Sequence, residues 1–228
     1  MAYTTLTYET IERVALVRLN DPETLNSVTP RMTEELHEAV TTAERSARAL
    51  VLGSVGRAFS SGVNLSPQHA TELIRADAGL MLETHINPLM SALRTLSIPW
   101  LSAVRGAAAG VGASIALSAD LIVAGEGAYF LQAFRRIGLV PDGGSPYLLA
   151  RAIGRVRAME LMLLGGKLPA PTALTWGLIN RVVPDTDVDT TALELARELA
   201  DGPTRCLGMI RKLGWEALDS SWEDQLAL

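Results

Sequence analysis

"IPWLSAVRGAAAGVGASIALSADLIVAG", residues 98–125, decides the class of fold. IPWLSAV (98–104) is short, apolar and unbroken, as a strand buried on both faces requires. RGAAAGVGASIALSA follows, a turn of small residues that passes into a helix. DLIVAG (120–125) is a second short apolar run closed by glycine. Strand, tight turn, helix and strand in so short a span predict a parallel sheet with crossover helices, an α/β protein.

The same pattern extends outward. RALVLGS (48–54) reads as another buried strand. Residues 3–19 alternate (Leu6, Tyr8, then Val14, Leu16) around Glu12-Arg13 and predict a β-hairpin. NDPETLNS (20–27) is loop. SVTPRMTEELHEAVTTAER then places Met32, Leu36, Ala39, Val40 and Ala43 on one helical face after a Thr-Pro start. A helical region is expected over about 69–96. From Ser145 onward YLLARAIG, RAMELMLLG and APTALTWGL are helical in spacing, and TTALELARELADG follows INRVVP. No internal repeat, low-complexity segment or long linker divides the chain.

The 228 residues carry a net charge of -5, with 48% hydrophobic and 20% charged residues. That balance fits a soluble globular protein and argues against nucleic acid or an anionic membrane as partner. One cysteine, Cys206, excludes an internal disulfide framework and points to a reducing cytoplasm. The start, MAYTTLTYETIERV, has no secretory pattern. No apolar stretch reaches membrane-spanning length.

Common chemistries drop out in turn. GVGASI lacks the third glycine of a dinucleotide fingerprint, since Ile115 stands there. LLGGKL has Leu161 where a P-loop needs glycine and Leu168 after its lysine. No GxSxG elbow is present. His37, His69 and His85 have no metal-ligand spacing, so neither a metal nor a nucleotide cofactor is expected. Cys206 reads as structural.

Two glycine turns remain. RAFSSGVNL and GAAAGVGAS both follow apolar strands, and the second runs into a helix. Backbone N–H groups in such turns lack internal partners and can point at an oxygen, and two of them make a pocket for a carbonyl oxygen gaining negative charge. Tight helix–strand packing explains the same small residues.

GRAFSSGVNL (56–65), SAVRGAAAGVGASIALSADLIVAGEGAYF (102–130), FRRIGLVPDGGSPYLLARAIG (134–154) and AMELMLLGGKLPAPTALTWGLINRVVP (158–184) together resemble the enoyl-CoA hydratase/isomerase, or crotonase, superfamily, collinearly over nearly the whole chain. The resemblance implies a spiral of ββα units as an acyl-CoA-binding core over 1–185. It implies a helical C-terminal region over 186–228, shorter than is usual for the family. It implies an acyl-CoA thioester as substrate, no separate cofactor, a homotrimer or hexamer, and a setting in fatty-acid metabolism such as β-oxidation. Carried over by position, the oxyanion donors are the N–H groups of Ser61 and Val111. Ala58, Phe59, Gly62, Val63, Asn64, Gly110 and Phe134 are implied to line the CoA and acyl path. Lys212 stands where the family often places a basic residue near the CoA phosphates, and reads equally as a solvated surface lysine.

The family's hydratases add water with two glutamates, and here those positions fall at Ser114 and Phe134. Neither does acid–base work at neutral pH. That leaves Asp142, in VPDGGS. Pro-Asp-Gly-Gly is good β-turn sequence and Asp caps helices readily. The resemblance implies instead a working carboxylate beside the thioester, walled by Phe134, Leu139 and Val140, with a raised pKa. Such an acid can shuttle one proton, as an isomerase does. The alternatives are a hydratase with an acid not yet placed, a non-catalytic acyl-CoA binder, and nucleophilic use of Asp142 as in aryl-CoA dehalogenases. Arg135 and Arg136 read as a solvated pair or a contact to substrate or subunit. Trp176 reads as packing, and Gly177 as a helix C-cap.

Overall fold

The computed structural model describes residues 3–64 and 77–228. Among these the strands are β1 (Leu6–Ile11), β2 (Val14–Leu19), β3 (Ala49–Ser54), β4 (Trp100–Val104), β5 (Ala107–Ala109), β6 (Leu121–Gly125), β7 (Tyr129–Leu131), β8 (Lys167–Pro169) and β9 (Arg181–Val183). The α-helices are α1 (Pro30–Ser46), α2 (Ala78–Met81), α3 (Asn87–Thr95), α4 (Val111–Leu117), α5 (Ser145–Leu164), α6 (Ala170–Thr175), α7 (Val188–Asp201), α8 (Thr204–Glu216) and α9 (Trp222–Leu226).

The larger sheet runs β1-β2-β3-β4-β6-β9. Its hairpin pairs Leu6 with Leu19 through Ile11 with Val14, and every later neighbour is parallel. Period-two alternation then divides each strand between two cores. Leu50 and Leu52 of β3 join Trp100, Met32 and Leu36 on one face, while Ala49 and Val51 meet Leu101 and Val123 on the other. That second face is covered by α7, whose Val188, Ala192, Ala196 and Ala200 form a narrow stripe at helical spacing. Small side chains let the helix lie close to the sheet.

The three-residue strands β5, β7 and β8 make a second sheet in that order, and an isolated bridge from Ser60 to Ala108 extends it. Each turn of chain therefore gives one strand to the large sheet, one short piece to the small sheet, and a helix. β3, Ser60 and α3 make one such turn; β4, β5 and α4 the next; β6, β7 and α5 the third. β5 lies inside the stretch read from sequence as turn, so the small residues there serve a strand as well.

The hairpin, the strands near 48–54, 98–104 and 120–125, and α1 lie where periodicity puts them. Thr29 caps α1 by accepting the Met32 N–H at 3.2 Å, ahead of Pro30 in the first turn. The expected helix over 69–96 begins outside the described residues, as does His69. Its described part is α2, a π-helical turn at Leu82–Ile86, and α3. Gly154, at φ +78° and ψ 156°, interrupts α5 between the two helical runs.

Candidate active site

Two of the spiral's turns meet edge to edge. Ser60 donates its N–H to Ala107 C=O (3.0 Å) and accepts from Ala109 N–H (2.9 Å), which docks the 58–64 segment on β5. Asn26 holds the same segment from behind, its Nδ2 donating to the carbonyls of Val55 and Ala58 at 2.9 Å each. Gly62 and Gly110, with φ of +88° and +53°, then touch. A Cβ on Gly62 would lie 2.9 Å from Ala109 O, and one on Gly110 3.7 Å from Gly62 Cα. Both backbone angles favour glycine, and at Gly62 the close approach to Ala109 O excludes a side chain as well.

Beside the paired turns is a cavity of about 440 Å³. Ser61, Gly62, Val63, Gly110 and Val111 line one side, and Phe134, Ile137, Leu139, Val140 and Asp142 the other. Met81, at the end of α2, and Leu82 and Ile86 of the π-helical turn close it. Which face of that helix forms the wall was not legible, because the π turn takes one more residue than an α turn and shifts the phase of the apolar spacing. The cavity opens past Val140, which is 80% exposed.

Ser61 needs correction as an N–H donor to a ligand. Its N–H is already given to Leu25 C=O at 2.9 Å, and its hydroxyl to Thr24 C=O at 3.1 Å. In the same two turns the N–H groups of Val63 and Val111 have no acceptor among the described residues. Val111 opens α4, where the first amides are unpaired by construction. The pair of N–H groups available to a carbonyl oxygen is thus Val63 and Val111, two residues downstream of the expected first donor.

Asp142 sits in the cavity wall. Its carbonyl accepts from Ser145 N–H (3.0 Å), Ser145 Oγ (3.0 Å) and Ser114 Oγ (3.1 Å). Its carboxylate caps nothing: α5 begins after Gly144 without a side-chain cap, and the buried Oδ1 has no hydrogen-bond partner. Burial pushes the carboxyl up to about 6. No other ionisable side chain lines the cavity among the described residues.

The other expected positions divide. Phe134, 5% exposed, lines the cavity and makes that side apolar. Ser114 is fully buried behind the Asp142 turn and outside the cavity. Ala58, Phe59 and Asn64 do not reach the cavity: Phe59 is core, and Asn64 donates to Ser27 Oγ at 3.0 Å. Lys212 lines a separate groove on α8, 3.6 Å from Glu216. Arg135 and Arg136 are exposed, as a solvated pair should be, and do not line the cavity. They donate to the carbonyls of Leu163, Leu164 and Gly165 and cap the end of α5. Arg157 stacks on half-buried Trp176, 4.8 Å from the ring centre, and Gly177 (φ +78°) follows α6. His37 and Cys206 are exposed, and His85 faces Glu34 at 3.6 Å.

Known proteins resemble this chain over nearly its whole length. The enoyl-CoA hydratase/isomerase family model matches residues 9–228. A Rhodobacter capsulatus protein that bears the name "Probable enoyl-CoA hydratase" is 40% identical, over 100% of this chain and 88% of its own length. The 1,2-epoxyphenylacetyl-CoA isomerase of Escherichia coli K12 is 41% identical, over 94% of this chain and 83% of its own. The crystal structure of an enoyl-CoA hydratase from Polaromonas sp. JS666 superposes with a TM-score of 0.90 at 31% identity, covering 97% of this chain and 87% of that one. Matched by the family model over residues 9–228 and superposed on a solved structure over 97% of its length, this chain belongs to the enoyl-CoA hydratase/isomerase family and has the crotonase fold.

Proposed function

We propose that this chain moves a double bond in an enoyl-CoA thioester, by proton transfer through Asp142. The observation that carries the reading is the bare carboxylate of Asp142, the lone ionisable group on the cavity wall among the described residues. With a pKa of about 6 it is about 90% ionised at pH 7, yet more basic than an ordinary aspartate.

In the forward step the carboxylate takes a proton from C2 of a 3-enoyl thioester. The electron pair moves onto the thioester oxygen, which the N–H groups of Val63 and Val111 hold as it gains charge. The enolate collapses, the double bond shifts to C2–C3, and the protonated Asp142 returns its proton at C4. Charge and atoms balance with one acid, and no water enters. A ring-type rearrangement that needs the same proton shuttle fits the site equally, and the 41% identity to an isomerase supports the class.

Hydration would need a second acid to place and activate water, and the family's two glutamate positions hold Ser114 and Phe134. As the assembly we propose a cytoplasmic homotrimer, alone or paired into a hexamer. Val156, Met159 and Leu163 form an exposed apolar face on α5 that suits such contacts.

A panel of 3-enoyl- and 2-enoyl-CoA thioesters of several chain lengths tests the reading, with products identified by mass and chromatography. Interconversion of the two positional isomers without a mass change is expected. A hydroxyacyl-CoA product would replace the isomerase with a hydratase. Intact thioesters that bind with measurable affinity would leave a binder.

A further inference from the structure

We infer that Ser114 is a positioning residue: by tying the Asp142 carbonyl to α4, it sets where the carboxylate stands relative to the N–H of Val111. The inference rests on the isomerase reading of the same site and adds a residue outside the cavity.

Three features meet at this point. Ser114 is fully buried, and its hydroxyl donates to Asp142 C=O at 3.1 Å, with Gly110 C=O farther away at 3.5 Å. Gly143, the next residue of the turn, is in the left-handed region at φ +55°. A Cβ there would lie 2.9 Å from Ser114 Cβ and 3.1 Å from Val111 Cγ2. The turn thus rests directly on the two α4 residues that face it. Finally, the bonds are distributed unevenly within Asp142: its carbonyl takes three donors, and its buried Oδ1 takes none.

Two of those three donors come from Ser145, the first residue of α5, and tie the turn to that helix, which carries neither oxygen-site amide. Ser114 comes from the helix whose first N–H is Val111. Its hydrogen bond is therefore the one that relates the base to the oxygen site. A misplacement of about 1 Å at such a site costs roughly a hundred-fold in rate.

Other charged groups nearby do not take over this role. Arg135 and Arg136 are held at the end of α5, Tyr147 donates to Asp219, Glu83 is exposed, and His85 faces Glu34. α4 itself carries no ionisable side chain.

The test compares wild type with Ser114→Ala and with Ser114→Cys, which nearly keeps the volume and weakens the donor. The Asp142 carboxyl carbon is titrated by NMR, assigned through its loss in Asp142→Asn, and the pH profile of double-bond shift is measured with a 3-enoyl-CoA. In Ser114→Ala the turn relaxes and water reaches the carboxylate. Its titration midpoint falls by about one pH unit, and kcat falls about ten-fold with KM within about two-fold. The cysteine variant lies between. An unmoved midpoint overturns the inference, as does a rate loss equal at every pH that follows lost thermal stability. The titration needs no turnover. If wild type converts no enoyl-CoA while the midpoint still shifts, the isomerase reading fails and the placement by Ser114 stands.

Discussion

Under the proposed isomerase reading the chemistry rests on the Asp142 side chain, and the setting of that carboxyl has a thermodynamic consequence. A folded-state pKa of about 6 lies above the ordinary aspartate value of 3.8, so folding favours the protonated form. As pH rises from about 4 to about 6 the folded protein must ionise a buried group, and above pH 6 the full cost of about 3 kcal/mol is present. Asp142→Asn removes that cost. At pH 8 its Tm should exceed wild type by about 8 °C, and at pH 4.5 by about a third of that; thermal unfolding at both pH values checks this. Equal Tm differences at the two pH values would mean that the carboxylate is not the source. The residue was legible as a candidate because both glutamate positions are vacant while VPDGGS persists. What sequence could not decide was turn against working carboxylate, since that depends on whether the side chain caps a helix. Nor could it show that the Ser61 N–H is taken by the Leu25 carbonyl, while that of Val63 has no acceptor among the described residues.

At the scale of elements, longer segments were readable and the shortest were not. α1 and β3 carry enough residues for a period to be counted, and they lie where expected. β5, β7 and β8 have three residues each, too few for alternation, and they hold together only as a sheet whose partners are far apart in sequence. The attachment of α8 is also invisible from the sequence. Arg211, with its side chain 4% exposed, reaches from α8 to the end of α3. It donates to the carbonyls of Leu93 (2.6 Å), Arg94 (2.9 Å) and Leu96, and pairs with Asp120 at 2.6 Å. Burial raises the Asp120 carboxyl, and the pull of Arg211 and the Trp100 N–H works against that rise. Arg211→Met would leave a buried carboxylate short of its cation and three helix-end carbonyls without their donor. A loss of about 4 kcal/mol is expected, or about 10 °C in Tm. Calorimetry showing a loss below about 1 kcal/mol would mean that α8 is held by apolar contacts instead.

For the molecule as a whole, alternating strands and helices were enough to predict a largely parallel α/β core. The division into two sheets was carried by the resemblance and not by periodicity. That division matters for function. Each spiral turn delivers a loop between the large sheet and the next helix, and two of these loops meet at Gly62 and Gly110 to present the Val63 and Val111 amides. A third delivers Asp142 to the same cavity. The large sheet, buried on both faces, supplies the rigidity that keeps three loops from different parts of the chain in register. Among the described residues no helix is long and apolar enough to cross a membrane. The central claim is that one buried carboxylate carries the proton both ways. Its most direct test is the rate of 3-enoyl to 2-enoyl-CoA conversion against pH, for wild type and Asp142→Asn side by side. The active form is the carboxylate, so the wild-type rate should climb through a midpoint near pH 6 to a plateau. The asparagine variant should bind the thioester with similar affinity, lose about a thousand-fold or more in kcat on the wild-type plateau, and show no midpoint near pH 6. A variant that keeps most of the wild-type rate, or a wild-type rate flat through pH 6, would contradict it.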